Sequence, residues 1–207
     1  MTRLSTERWA ALAGLGFVAA YVTAFSMGIE VGPSDREILD YYADSGHRAR
    51  EVVAFFLIAA AALLLLLFSH GVRTVIDRAG PGGSSAARIA FAGGLAGSML
   101  ILAGNALSRA TAFSASDADF ELEPNTRRLF ENAGFLLFVC GALAAILLAA
   151  GVAVAALRHR VLPPWLGWAS IVTAMPLPLA IGFVGFLVFL LWVLLVSGVL
   201  AFRQSPG

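Results

Sequence analysis

The chain has no lysine, a single cysteine, few charges and no long polar stretch. Each of these absences excludes something. All 14 basic residues are arginine and they are scattered, so no basic patch suits a nucleic acid. Cys140 stands alone in an apolar run, which rules out an internal disulfide and a multi-cysteine metal site; it reads as a small core residue. The three histidines have no metal-ligand spacing. The P-loop, the dinucleotide fingerprint, the H-E-x-x-H pair and the G-x-S-x-G elbow are all missing, so no cofactor is expected. No polar stretch reaches the roughly 50 residues of the smallest domains. The 207 residues therefore read as one domain.

Charge is the most informative shortage. Only 13% of residues are charged, against roughly 25% in soluble domains. Hydrophobic residues make up 59%, and mean hydropathy is +0.86. Apolar runs stand at 9–27, 52–69, 89–107, 133–157, 162–179 and 181–202. In a bilayer every backbone amide must be bonded internally, so such runs become helices, and roughly 20 residues cross the hydrocarbon. The expected fold is an all-α integral membrane bundle of six spans.

The last two runs leave an alternative of five. As one helix they would be about 60 Å long, twice the hydrocarbon thickness. Pro176 and Pro178 remove amide donors and supply a break. Pro163 and Pro164 suit the first turn of a short helix, which either crosses or re-enters. Arg3 and Arg8 before the first run imitate a signal peptide, but the run is long and no convincing A-x-A site follows. It is expected to remain as a helix.

With the N-terminus cytoplasmic and six crossings, eight arginines fall inside and six outside. Eleven acids, among them Glu30, Asp35, Glu37 and Asp117, fall outside, against Glu7 and Asp77 inside. This favours both termini in the cytoplasm of a bacterial plasma membrane. Of the two long outer loops, the first carries Ser34 and Glu37 at capping-box spacing. Ile38, Leu39 and Tyr42 follow on one face, which predicts a short helix at the outer interface.

Several stretches resemble something known. They are Ser34 to Arg48, Leu162-Pro163-Pro164-Trp165-Leu166-Gly167-Trp168, and Leu191-Trp192 to Leu200. Together they resemble small multi-pass membrane proteins of actinobacteria that form a domain-of-unknown-function family. The resemblance covers most of the chain and implies no activity, so no functional residue follows from it.

Candidate chemistry gathers near the outer ends of the spans, and no ionisable group sits near the middle of any of them. Asn105 and Arg109 share a face of the third span. Arg127 and Glu131, like Arg128 and Asn132, repeat that spacing at the start of the fourth, and Glu51 begins the second at the same depth. A carboxylate, a guanidinium and an amide could there hold a lipid headgroup or small polar ligand above apolar walls. Surface ion pairing is the plainer expectation for Arg127 and Glu131. Asn105 is expected to face inward and bond the start of the fourth span.

Gly93 and Gly97 predict a close helix contact. Trp9, Trp165 and Trp168 read as interfacial anchors, and Trp192 as core. The composition favours a protein that binds membrane lipid, an apolar small molecule or another membrane protein. An intramembrane enzyme would use Glu51 or Glu131 as acid, with Arg109 or Arg127 holding an anionic group. A transporter is the third reading. An enclosed cavity reaching Glu131 and Asn105 favours the enzyme, a continuous polar path the transporter, and a solid bundle the binding protein.

Overall fold

The computed structural model describes residues 6–27, 31–78, 80, 82–117, 119–178 and 184–202. Among these there are helices and no strands. They are α1 (Thr6–Ser26), α2 (Asp35–Ala43), α3 (Ser45–Asp77), α4 (Ser84–Ser114), α5 (Pro124–Leu157), α6 (Pro164–Ala174) and α7 (Val184–Phe202). Five of them, α1, α3, α4, α5 and α7, are long and apolar enough to cross a membrane. The chain is an all-α membrane bundle.

The run at 162–179 is where the two expected counts part. Pro164 occupies the first turn of α6, and the helix ends at Ala174, just before Pro176. Its 11 residues span about 16 Å, half the hydrocarbon thickness. By helix length the count is five, the lower of the two expectations. The packing nevertheless carries this segment along the bundle. Gly167 sits against Ala156 and Leu157 at the end of α5, Ser170 lies opposite Trp192, and Pro176 and Leu177 lie against Gly185 at the start of α7. The segment thus runs antiparallel to α7. Proline cost it regular hydrogen bonding without cancelling its direction.

Ring contacts fix the relation of α1 to α7. Phe17 meets Phe189 at 6.2 Å and Tyr21 meets Phe186 at 4.7 Å, while Gly14 faces Ser197. Rising along α1 means descending along α7. The first described turn of α1 and the last of α7 therefore share one end of the bundle, here the terminal end, and α2 marks the opposite end. Arg3, Glu30 and Arg203, which enter the charge comparison, lie outside the described residues.

Small residues make the tightest seam, between α4 and α5. A side chain at Gly93 would meet the Leu148 nitrogen at 2.6 Å and the Ala144 oxygen at 2.7 Å; one at Gly97 would meet the Gly141 oxygen at 3.1 Å. Gly104 would meet the Gly134 oxygen at 2.5 Å, and Gly151 the Ala86 oxygen at 2.7 Å. Both glycines of the expected contact lie in this seam, and it runs the length of both helices. Lipid tails are as apolar as leucine, so backbone proximity of this kind, rather than burial of greasy area, holds the pair together.

The core is built from Phe17, Leu65, Phe68, Leu148, Phe189 and Trp192. Trp192 is buried and its indole donates to Ser170 Oγ at 2.9 Å. Trp9, Trp165 and Trp168 are exposed at the terminal end, as interfacial anchors would be. Cys140 is not in the core: it is exposed on the outside of α5, because Gly141 and Ala142 take the buried face there. His70 is exposed on α3. At the terminal end a buried Glu7, 2% exposed, accepts from the half-exposed Arg78 at 2.6 Å.

Candidate functional site

The α2 end is organised by caps. Ser34 and Glu37 form the expected capping box, with the Ser34 amide donating to Glu37 Oε2 at 3.0 Å. Asp44 caps α3 by accepting from the His47 amide at 2.8 Å, and Glu123 caps α5 by accepting from the Thr126 amide. The hydrogen bonds from Ser34 hold the Glu37 carboxyl below its ordinary range, the His47 amide does the same for Asp44, and Thr126 for Glu123. All three helix starts thereby keep an anion at neutral pH, where the helix dipole favours one.

α2 lies across the bundle end. Ile38 and Tyr42 are buried against Ala112 of α4, whereas Leu39, on the flank of that face, stays exposed. Two arginines hold it. Arg48 donates to the Tyr42 and Ala43 carbonyls. Arg128 donates to Asp35 at 2.6 Å, to the Pro33 carbonyl at 2.7 Å and to Asn125 at 2.9 Å. Arg128 and Asn132, four apart, make no hydrogen bond to each other among these. Arg128 turns toward the loop side of α5, where three acceptors converge, and Asn132 turns toward α1.

A cavity of about 630 Å³ opens beneath this cap. It lies between α1 and α5, with α3 and α4 behind. Tyr21, Ala24 and Phe25 of α1 form one wall, and Phe135, Phe138 and Gly134 of α5 the other. Ile58 and Ile101 line the back. Toward the core it is floored by an aromatic cluster in which Phe186 lies 4.7 Å from Tyr21 and 4.8 Å from Phe138. Glu131 and Asn132 stand at its mouth and are exposed. The cavity is thus open on one side rather than sealed.

All six residues singled out from the sequence line it: Glu51, Asn105, Arg109, Arg127, Glu131 and Asn132. Glu51 is 1% exposed; its Oε1 accepts from the Tyr42 hydroxyl at 3.0 Å, and Arg109 lies 3.5 Å from its Oε2. Burial, with the Glu51 carboxylate beside it, pushes the Tyr42 hydroxyl pKa well above the ordinary tyrosine value, so that it stays a donor. Arg127 pairs with Glu131 and lies over the Tyr42 ring at 5.9 Å. The Arg127–Glu131 pair is therefore more than a surface bridge: its guanidinium is largely buried although its carboxylate is half exposed.

Asn105 faces inward, at 7% exposure, but its partner is on another helix than expected. Its amide donates to the Phe55 carbonyl of α3 at 3.0 Å. The start of α5 is occupied by its own ion pair, while α3 presents a backbone acceptor at the depth of Asn105. The Asn105 oxygen is buried without a hydrogen-bond donor, and Glu51 Oε2 has only the Arg109 guanidinium. Sequence reasoning missed Tyr42 as a site residue, and missed the aromatic wall. The only available signal was Tyr42 and Glu51 flanking a helix–cap–helix corner.

No family model, curated protein or solved structure matches this chain.

Proposed function

We propose that this is a multi-pass protein of the bacterial plasma membrane that binds an amphiphile in the cavity between α1 and α5. The observation that carries the reading is the cavity's two-part lining. Isoleucine and aromatic side chains form its walls, and four charged side chains with two amides are gathered at its α2 end and mouth. An apolar pocket with a few convergent polar groups is the usual form of a small-molecule site, and its volume lies within the common range of roughly 300–1,000 Å³. A lipid or apolar small molecule would lay its tail along Tyr21, Phe135 and Phe138 and its head at Arg109 and Glu51. Actinobacterial origin belongs to the same proposal, supported by the all-arginine basic set and the resemblance described above.

The direct test is Asn132→Trp, which fills the mouth from an exposed position and so spares the core. Lipid co-purified with the wild-type protein in mild detergent is expected to disappear from the native mass spectrum of the variant. Equal lipid retention in both would overturn the reading.

A second reading is favoured by the same cavity, because it reaches both Glu131 and Asn105. In it the protein is an intramembrane enzyme acting on the bound lipid or isoprenoid, with Glu51 or Glu131 as the acid. The opening at Glu131 and Asn132 gives this reading less support than a sealed chamber would. The transporter reading has no observation of its own: between the cavity and the terminal end, Ala90, Gly93, Gly97 and Ser98 are buried against neighbouring helices.

The orientation proposed is the α2 end outside, as the arginine distribution favours. In a Cys140→Ala background, Asp40→Cys and Asp119→Cys are expected to react with an impermeant maleimide added to intact cells. Arg158→Cys and Ser205→Cys are expected to react only after lysis. The opposite pattern would invert the protein.

A further inference from the structure

The hydrogen-bonding capacity left over in the cavity narrows what its head group can be. Two buried acceptors there have capacity to spare: the Asn105 oxygen, on a side chain 7% exposed, has no donor, and Glu51 Oε2, on a side chain 1% exposed, has only the Arg109 guanidinium, 3.5 Å away. The Asn105 amide nitrogen is already committed to the Phe55 carbonyl, and Glu51 Oε1 to the Tyr42 hydroxyl. Each guanidinium in the lining already has a carboxylate: Arg109 faces Glu51, and Arg127 pairs with Glu131. Two positive and two negative groups cancel.

From this we infer that the cavity takes an uncharged amphiphile whose head bears hydroxyl groups, such as a monoacylglycerol or a long-chain alcohol, rather than a phosphate-headed one. The inference rests on the amphiphile reading above. A hydroxyl donates to Asn105 Oδ1 or Glu51 Oε2 and can accept an N–H from Arg109, whose five donors exceed what one carboxylate oxygen uses. A fully ionised phosphate on a carrier without hydroxyls supplies acceptors only, so the Asn105 oxygen stays unsatisfied. It also adds net negative charge to a balanced, largely desolvated group, the costly case in low dielectric. A primary ammonium satisfies the acceptors but brings a third cation beside Arg109 and Arg127. The consequence for the enzyme reading is that neither arginine is free to hold an anionic substrate group.

The test compares probes with one tail and different heads. The protein in phosphatidylcholine nanodiscs is titrated with 1-oleoylglycerol, oleyl phosphate and oleylamine, with binding read by native mass spectrometry. The expected result is saturable binding of 1-oleoylglycerol, at least about tenfold tighter than the other two, since each tenfold corresponds to only about 1.4 kcal/mol. Asn105→Leu should remove that preference, and Asn132→Trp should remove the binding. The wild-type comparison stands even if Asn105→Leu does not fold. Equal or tighter binding of oleyl phosphate or oleylamine, still blocked by Asn132→Trp, would overturn the head-group assignment and leave the amphiphile reading intact. No saturable binding of any probe, or binding indifferent to Asn132→Trp, would overturn both.

Discussion

Gly93→Leu is expected to lower the melting temperature in detergent by about 5 °C or more, from an overpacking cost of about 1–3 kcal/mol. The atoms that a side chain there would strike are the backbone nitrogen of Leu148 and the backbone oxygen of Ala144. Neither can rotate aside, so α4 and α5 must separate along a seam built of such contacts. Gly97→Ala should cost less, because its nearest neighbour is 3.1 Å from the added carbon. Gly198 supplies the control: nothing lies within 4 Å of a side chain there, and Gly198→Ala should melt like the wild type or slightly higher. If Gly93→Leu and Gly198→Ala melt alike, the seam is not what holds these helices.

Glu51→Ala is the second large effect, with an expected loss of about 3–5 kcal/mol, the usual consequence of stripping one partner from a buried ion pair. It strands the Arg109 guanidinium, 19% exposed, and leaves the Tyr42 hydroxyl without its acceptor. α2 should loosen along with the cavity, because Tyr42 is one of its two buried residues. Glu51→Gln should fall between, since an amide oxygen still accepts from Tyr42 but carries no charge. Asp35→Ala removes a pair whose carboxylate is 67% exposed and should cost about 0–1 kcal/mol. Thermal melts of the three variants give the order directly. An Asp35 loss equal to that of Glu51 would mean the cavity pair is solvated.

Much of this arrangement was legible because bilayer physics leaves few choices. Apolar runs of spanning length had to be helices, and the prolines at 163–164 and 176–178 correctly marked a weakened span. The capping box at Ser34 and Glu37 depends on residues three apart, so it too could be read locally. The six site residues could be gathered because each sits at a helix end of the same depth. What failed was whatever depends on rotation about a helix axis or on competition between partners. Cys140 lies one residue from a buried glycine, and only the packing of α5 decides which of them faces out. Asn105 had two neighbouring helices to bond, and spacing along its own helix does not choose between them.

The pairing of helices also sets an order of assembly. α4 and α5 follow one another in the chain, so their seam can zip as soon as both have entered the bilayer. α1 waits longer. Its Phe17 and Tyr21 find Phe189 and Phe186 only when α7 arrives. Until α7 has entered the bilayer, Tyr21 and Phe138 lack the Phe186 ring that packs against both of them beside the cavity.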